Sequence, residues 1–424
     1  MRNRCLAALA VSVLMAAPST AQSLDDKVRG LLDSPGFRQA VAFMPSDQDR
    51  FLRELVTLTE IPSPPFKEQA RAKAFMEMLQ REGLHDVEMD AEGNVMGIRK
   101  GAGAGELVAV NAHLDTVFPE GTDVKVKRDG AKLMAPGVGD DTRGLALLLA
   151  LIRTMDAAKL QTPGDILFVG NVGEEGEGDL RGIKFLLQKG KYKDRIRQVL
   201  AIDGDALESV TRGGVGSRRY RVSFKGPGGH SYGAFGLVNP AYAMGNAIAK
   251  FSHIEVPATP KTTYNIGVVA GGTSINSIPA EVTMDVDMRS QSCAELKKVD
   301  EEFLTIVRQA VDEENRTRST REGVITADPK LIGERPCGET AMSAPIVQAA
   351  ASVIKAFGKT PTFTISSTDA NIPMSLGIPA ITIGHGGPSG RAHSPDEWTR
   401  FEPASNVEHT QMALAILLTV AGGR

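Results

Sequence analysis

Residues 107–115 read LVAVNAHLD. Leu107 to Ala112 forms a continuous rather than an alternating apolar run. That is the pattern of a central strand covered on both faces. His113 and Asp115 follow at once, polar groups at the end of a buried strand. The same arrangement recurs along the chain. DILFVGN at 165–171 leads into GEEGEG at 173–178, and QVLAID at 198–203 ends on Asp203. IPAITIG at 378–384 leads into HGGPSGRAHSPDEW at 385–398. Between these lie helical patterns, the strongest at 145–152, directly after GVGDDTRG at 137–144. Strands alternating with helices predict a layered α/β domain. The polar residues gather at the C-terminal ends of its strands, the edge where open α/β sheets bind ligands.

Outward from this centre, residues 49–82 carry helical spacing, broken by PSPPF at 62–66. A short strand is expected at 94–99 and a helix at 183–187. Beyond Gly214 the texture changes. RRYRVSFKG (218–226), TTYNIGVVAGG (262–272) and AEVTMDVDMRS (280–290) alternate as half-exposed strands. Helices are expected at 241–251 and 293–313, and a closing strand at 323–328. Strand, helix, strand, strand, helix, strand is the order of a split βαβ sandwich. The α/β pattern then resumes, with a helix at 343–357, a strand at 362–366 and a last helix at 404–419. The expected domains are a signal peptide at 1–21, a catalytic domain at 22–214 and 330–424, and an inserted domain at 215–329.

The chain has 424 residues, 42% hydrophobic and 23% charged, which excludes a disordered or fibrous protein. Lys plus Arg is 48 against 51 Asp plus Glu, so there is no basic excess for a nucleic-acid partner. The N-terminus, MRNRCLAALAVSVLMAAPSTAQS, has Arg2 and Arg4 ahead of an apolar run from Cys5 to Ala17. Ser19 and Ala21 are small residues placed for cleavage. This reads as a signal peptide, hence an exported protein, periplasmic or secreted. No later stretch suits a membrane span. Cys293 and Cys337 leave room for one bridge in an oxidising compartment.

Each polar cluster has a plain structural reading beside the chemical one. His113 is either a satisfied core histidine or a metal ligand whose ring Asp115 orients. Asp141 or Thr142 can cap the following helix, which leaves one of the two acids without a structural task, with Asp140 the favoured ligand and Asp141 the second reading. Glu174 and Glu175 are either a solvated acidic loop or a ligand beside a proton acceptor. Asp203 and Asp205 flank a turn-forming glycine, and Asp203 lies closer to the buried strand. His113, His230, His385 and His393 are four of only seven histidines, all in polar, glycine-rich or strand-end settings. Taken together, carboxylates and imidazoles without cysteine suit zinc, and also manganese or cobalt.

HLDTVFP, GVGDDTRG, GEEGEG, GGHS, NSIPAE and AHSPDEW occur in the order that resembles the M20 metallopeptidases. That family includes glutamate carboxypeptidase, peptidase T, dipeptidases and acylamino-acid hydrolases. The resemblance runs from Asp49 to the C-terminus. It implies a layered zinc-peptidase domain carrying a ferredoxin-like lid and dimerisation domain. It also implies two Zn2+ ions, with Co2+ or Mn2+ as substitutes. His113 and Asp203 would hold one metal, Glu175 and His393 the other, and Asp140 would bridge them. Glu174 would be the general base, Asp115 would orient His113, and His230 would contact the carbonyl oxygen, in dimeric members from the partner subunit. Asn276 would touch substrate, Arg289 would clamp its free carboxylate, and Gly386 and Gly387 would line its pocket. The chain departs from the family in reading DDTRG where many relatives have DxKG or DDKxG. Arg143 then offers a similar charge one residue out of register.

The implied partner is a short peptide or N-acylamino acid, with a homodimer formed through the inserted domain. The implied activity is that of a dipeptidase or carboxypeptidase. A tripeptide-type aminopeptidase is the alternative, and a non-catalytic periplasmic peptide-binding protein the second.

Overall fold

The computed structural model describes residues 23–103 and 105–423. The signal peptide expected at 1–21, with Cys5, lies outside the described residues. The main sheet runs His85–Met89, Val95–Arg99, Ile166–Asn171, Leu107–His113, Ile196–Ile202, Ala380–Ile383, Ser209–Gly214 and Gly338–Glu339, and Thr362–Ser366 pairs alongside Ser209–Gly214. The four strands from Ile166–Asn171 to Ala380–Ile383 are parallel neighbours. All four therefore end on one edge of the sheet. Leu107–His113 is buried along its whole length, which is why its sequence shows no alternation.

Helices cover both faces. Pro35–Thr59, Thr142–Ala157, Pro345–Ala356 and Pro403–Val420 close one core. Arg181–Gln188 and Asn371–Ser375 close the other. Thr142–Ala157 is buried almost end to end, so it is apolar on every side.

The inserted layer is a four-stranded antiparallel sheet in the order Thr262–Gly271, Glu281–Ser290, Gly216–Lys225, Thr326–Arg335. Helices Pro240–Phe251 and Cys293–Thr317 pack on one face over Val222, Phe224, Met284 and Met288. This is the split βαβ arrangement. The alternate residues face outward and pair across strands, Arg219 with Asp287 at 3.0 Å and Arg221 with Asp285 at 2.6 Å. The closing strand expected at 323–328 instead runs Thr326–Arg335. It contains Pro329 and a register shift at 331–333, both tolerated because it is an edge strand.

Two chain segments, 214–216 and 335–338, connect the layers and run side by side, with Gly214 opposite Gly338. A disulfide joins Cys293, the first residue of its helix, to Cys337 in the second connection. A small sheet of Lys127–Asp129, Lys132–Met134, Trp398–Arg400 and Ser389–Gly390 completes the structure. It brings the chain leading into GVGDD against the chain leaving AHSPDEW.

Candidate active site

Parallel strand ends deliver the site. His113 terminates Leu107–His113, Glu174 and Glu175 follow Ile166–Asn171, and Asp203 follows Ile196–Ile202. His393 comes from the loop after Ala380–Ile383, and Asp140 from the turn before Thr142–Ala157. The Asp140 carboxylate lies between two imidazoles. One oxygen is 2.9 Å from His113 Nε2 and the other 3.2 Å from His393 Nε2. His393 Nε2 is also 2.8 Å from Glu175 Oε1. His113, Asp140 and Glu175 offer ligand atoms all within 4.8 Å of one another.

The charges in this cluster do not balance within the protein. Burial, then the charge of Asp140, pushes the Asp203 carboxyl up to about 7. Burial likewise lifts Asp141 and Glu174 well above the carboxylate range. Hydrogen bonds to Asp140 and then Glu175 raise His393 to about 10. Burial alone would lower His113, but its bonds to Asp115 and Asp140 outweigh burial and raise it. Asp141 Oδ1 and Asp369 Oδ1 are buried without a partner. A cluster of crowded carboxylates that can lower its energy only by taking up protons or cations fits a divalent metal. Its donors are imidazole and carboxylate, a borderline-to-hard set suited to zinc, manganese or cobalt.

The chain matches the model of Peptidase family M20/M25/M40 over residues 109–419. The chain belongs to this family. Carboxypeptidase G2 of Pseudomonas sp. strain RS-16 is 26% identical over 201 residues, 46% of this M20 chain. That match spans about half of the relative's length, 47%. The succinyl-diaminopimelate desuccinylase of Corynebacterium glutamicum is 24% identical over 362 residues, 82% of this chain and 92% of its own. Among solved structures, a tripeptidase of Staphylococcus aureus superposes with a TM-score of 0.72 at 21% identity, covering 88% of this chain and 99% of that one. The aminopeptidase PepT of Bacillus cereus gives 0.70 at 21% identity, with 88% and 99% covered. At that identity the structural likeness carries the fold.

Behind the M20 cluster lies a ring of supports, of which the sequence announced Asp115. Asp115 meets His113 Nδ1 through its backbone carbonyl at 3.1 Å, and its carboxylate is 3.6 Å away. That carboxylate accepts the amides of Glu174 at 3.0 Å and Glu175 at 2.8 Å. Glu397 accepts the amides of Gly137, Gly139 and Asp140 at 2.8–2.9 Å and so fixes the loop that presents Asp140. Arg335, from the inserted sheet, is 3.0 Å from Glu174 Oε1 and also donates to the Glu174 carbonyl. Asp369 accepts from Asn111 at 2.9 Å and from Asn171 at 2.8 Å. Asp141 stands at the N-cap position of its helix without capping it. Its carboxylate accepts the His113 amide at 3.1 Å instead. Arg143 points into the core, to Thr399, the Arg400 carbonyl and Asn406.

The remaining candidates lie apart from the cluster. His230 is exposed on the two-residue strand Gly229–His230. Its Nδ1 accepts the amides of Tyr232 and Gly233 at 3.2 and 3.3 Å, which leaves the proton on Nε2. The Asn276 carbonyl accepts from the Ser231 amide at 2.9 Å and so braces the turn after His230. Arg289 donates to Asp287 at 2.7 Å and lines a pocket of about 460 Å³ with Lys261, Gln291, Ser366 and Ser367. Gly386 and Gly387 have positive φ angles of 75° and 87°. Both are buried, and a Cβ on them would meet His409 and Arg143 respectively. Asp205 is exposed and accepts from the Ser389 amide at 3.4 Å.

Proposed function

We propose that this chain is a metal-dependent hydrolase of amide bonds in short peptides or N-acylated amino acids, acting as a dipeptidase or carboxypeptidase on a free C-terminal carboxylate. The observation that carries the reading is Asp140 held between His113 and His393, with Glu175 closing the cluster and Glu174 beside it. His113, Asp140, Glu175, Asp203 and His393 would hold two divalent cations, zinc in the first instance. When bound, such cations polarise the scissile carbonyl and acidify a water.

Glu174 accepts the proton of the attacking water and returns it to the leaving nitrogen. Burial lifts its carboxyl well above the usual range, the direction that strengthens a carboxylate as a general base. Arg335 and the amide bond to Asp115 hold Glu174 in place for both transfers. His230 donates its Nε2–H to the carbonyl oxygen as negative charge builds there. Arg289 takes the substrate carboxylate at the far end of the cleft. Two relatives named a carboxypeptidase and a desuccinylase support amide cleavage as the reaction class.

Export to an oxidising compartment belongs to the same proposal, and the Cys293–Cys337 link supports it. Among the described residues no helix is long and apolar enough to cross a membrane. A homodimer through the inserted sheet is also proposed, since edge strand Thr262–Gly271 exposes Val268 and Val269. Light scattering of the purified protein reads its mass directly.

Hydrolysis of free, C-amidated and N-acetylated dipeptides by zinc-reconstituted protein tests the activity. Turnover is expected to fall sharply on C-amidation, and indifference to amidation removes Arg289 from its role. Glu174→Gln is expected to abolish turnover with metal content unchanged. Retained turnover in that variant would overturn the assignment of the base.

A further inference from the structure

Beside Asp203 the cleft floor is built from hydroxyl groups. Thr211, Thr364, Ser366, Thr368 and Thr382 line one pocket of about 380 Å³ together with Asp203 and Asp205. Thr211 and Thr382 lie on strands whose other face is apolar, since Val210, Ile381 and Ile383 belong to the main core; Thr364 and Ser366 come from the exposed strand Thr362–Ser366 and Thr368 from the loop after it. Side chains alternate along a strand, so the sheet turns its second face, hydroxyl-rich, toward the pocket. A sheet face meant to be covered by protein is apolar. This one instead suits water or a polar ligand.

The hydroxyls already pair with each other, Thr211 with Thr364 at 2.8 Å and Thr368 with Thr382 at 2.8 Å. Each hydroxyl has one proton to give and two lone pairs to receive. Pairing therefore uses up donors faster than acceptors. Asp203 and Asp205 add acceptors, and no Lys or Arg lines this pocket. The pocket is rich in acceptors and short of donors. It shares Ile365, Ser366 and Ser367 with the pocket that holds Arg289. A residue whose carboxylate rests on Arg289, and whose scissile nitrogen lies toward Asp203, has these hydroxyls within reach of its side chain.

We infer that this pocket is the subsite for the side chain of the residue bearing the free carboxylate, and that it selects side chains ending in hydrogen-bond donors. The class comprises ammonium, guanidinium, amide and hydroxyl termini. Aliphatic and aromatic side chains would strip water from the hydroxyls without replacing it. Carboxylate side chains would meet Asp205.

This inference rests on the proposed hydrolase reading, but its test separates the two. Zinc-loaded full-length protein is assayed on glycyl dipeptides with Lys, Gln, Ser, Leu, Phe or Glu in second place. kcat/KM is expected to be at least about tenfold higher for Lys and Gln than for Leu, Phe and Glu. Thr211→Val with Thr364→Val is expected to shrink that ratio to under about threefold, by lowering kcat/KM for Lys and Gln and raising it for Leu. In parallel, calorimetry on zinc-loaded Glu174→Gln reads the dissociation constants of glycyl-lysine and glycyl-leucine. If no dipeptide is cleaved, the dipeptidase reading fails, while tighter glycyl-lysine binding still supports the pocket. Leu or Phe matching Lys and Gln in both rate and binding overturns the inference. So does a threonine double variant, folded by circular dichroism, that slows every dipeptide equally.

Discussion

Asp115 shows how a residue can be legible in type and hidden in task. Its place two residues after His113 suggests a partner for the imidazole. The carboxylate lies 3.6 Å from the His113 ring and also accepts the amides of Glu174 and Glu175, 59 and 60 residues away in sequence. It thereby couples Glu175, the proposed ligand, to Glu174, the proposed proton acceptor beside it. Asp115→Asn keeps the shape but puts an NH2 opposite one of those amides. Metal affinity is expected to fall by about 10–100-fold, the usual cost of losing support behind a ligand. Competition with a chromophoric chelator measures it. An unchanged affinity would show that the two amides need no carboxylate to stay in place. His113, Glu175 and Asp203 were readable because they end or closely follow hydrophobic strands, and Asp140 and His393 because they sit in glycine-framed polar motifs. Arg335 and Glu397 were not, because their partners lie 161 and 257–260 residues away in sequence. Nothing local marks either side chain as belonging to the site.

Elements with long, regular patterns were legible for physical reasons. The central parallel strands are uniformly apolar because both faces are covered, and the inserted strands alternate because one face meets water. The short pieces were not legible. Lys127–Asp129, Lys132–Met134, Ser389–Gly390 and Trp398–Arg400 hold two or three residues each, too few to show a period. Ser209–Gly214 ends in two glycines and pairs with three different strands, so topology rather than composition makes it a strand. The join between layers is likewise an element-scale feature. Cys293 and Cys337 close a 44-residue separation across the second connection. Loop-closure entropy for that span corresponds to about 4 kcal/mol. Cys293→Ala with Cys337→Ala is expected to lower unfolding stability in urea by up to about this amount. Amide exchange should rise in Cys293–Thr317 before it rises in Thr142–Ala157. If the double variant unfolds within about 0.5 kcal/mol of the parent, the link adds no stability to the join.

At the scale of the molecule, the site ties together parts of the chain that the insertion separates. His113, Asp140, Glu175 and Asp203 precede the inserted sheet, and His393 follows it. The cluster therefore closes a loop of the whole catalytic layer, and a bound cation would act as a removable crosslink as well as a reagent. The protein alone leaves the Asp203 carboxyl raised by burial and by the charge of Asp140. Binding a dication to the folded state would relieve this, and the unfolded chain has no assembled site to compete. Stabilisation then follows mass action, about 2.7 kcal/mol at free metal one hundred times the dissociation constant. Chelation is accordingly expected to lower the unfolding midpoint, and added zinc to restore it in a concentration-dependent way. Exchange should rise first in the loops carrying Asp140, Glu175 and His393, because these are the segments the cation joins. The inserted sheet has its own core and contributes no ligand, so its exchange should stay the same. His393→Ala should remove most of the zinc response while leaving the chelated protein close to the parent in stability. A midpoint indifferent to zinc, or exchange rising equally in both layers, would show that the clustered imidazoles and carboxylates do not bind metal as a unit.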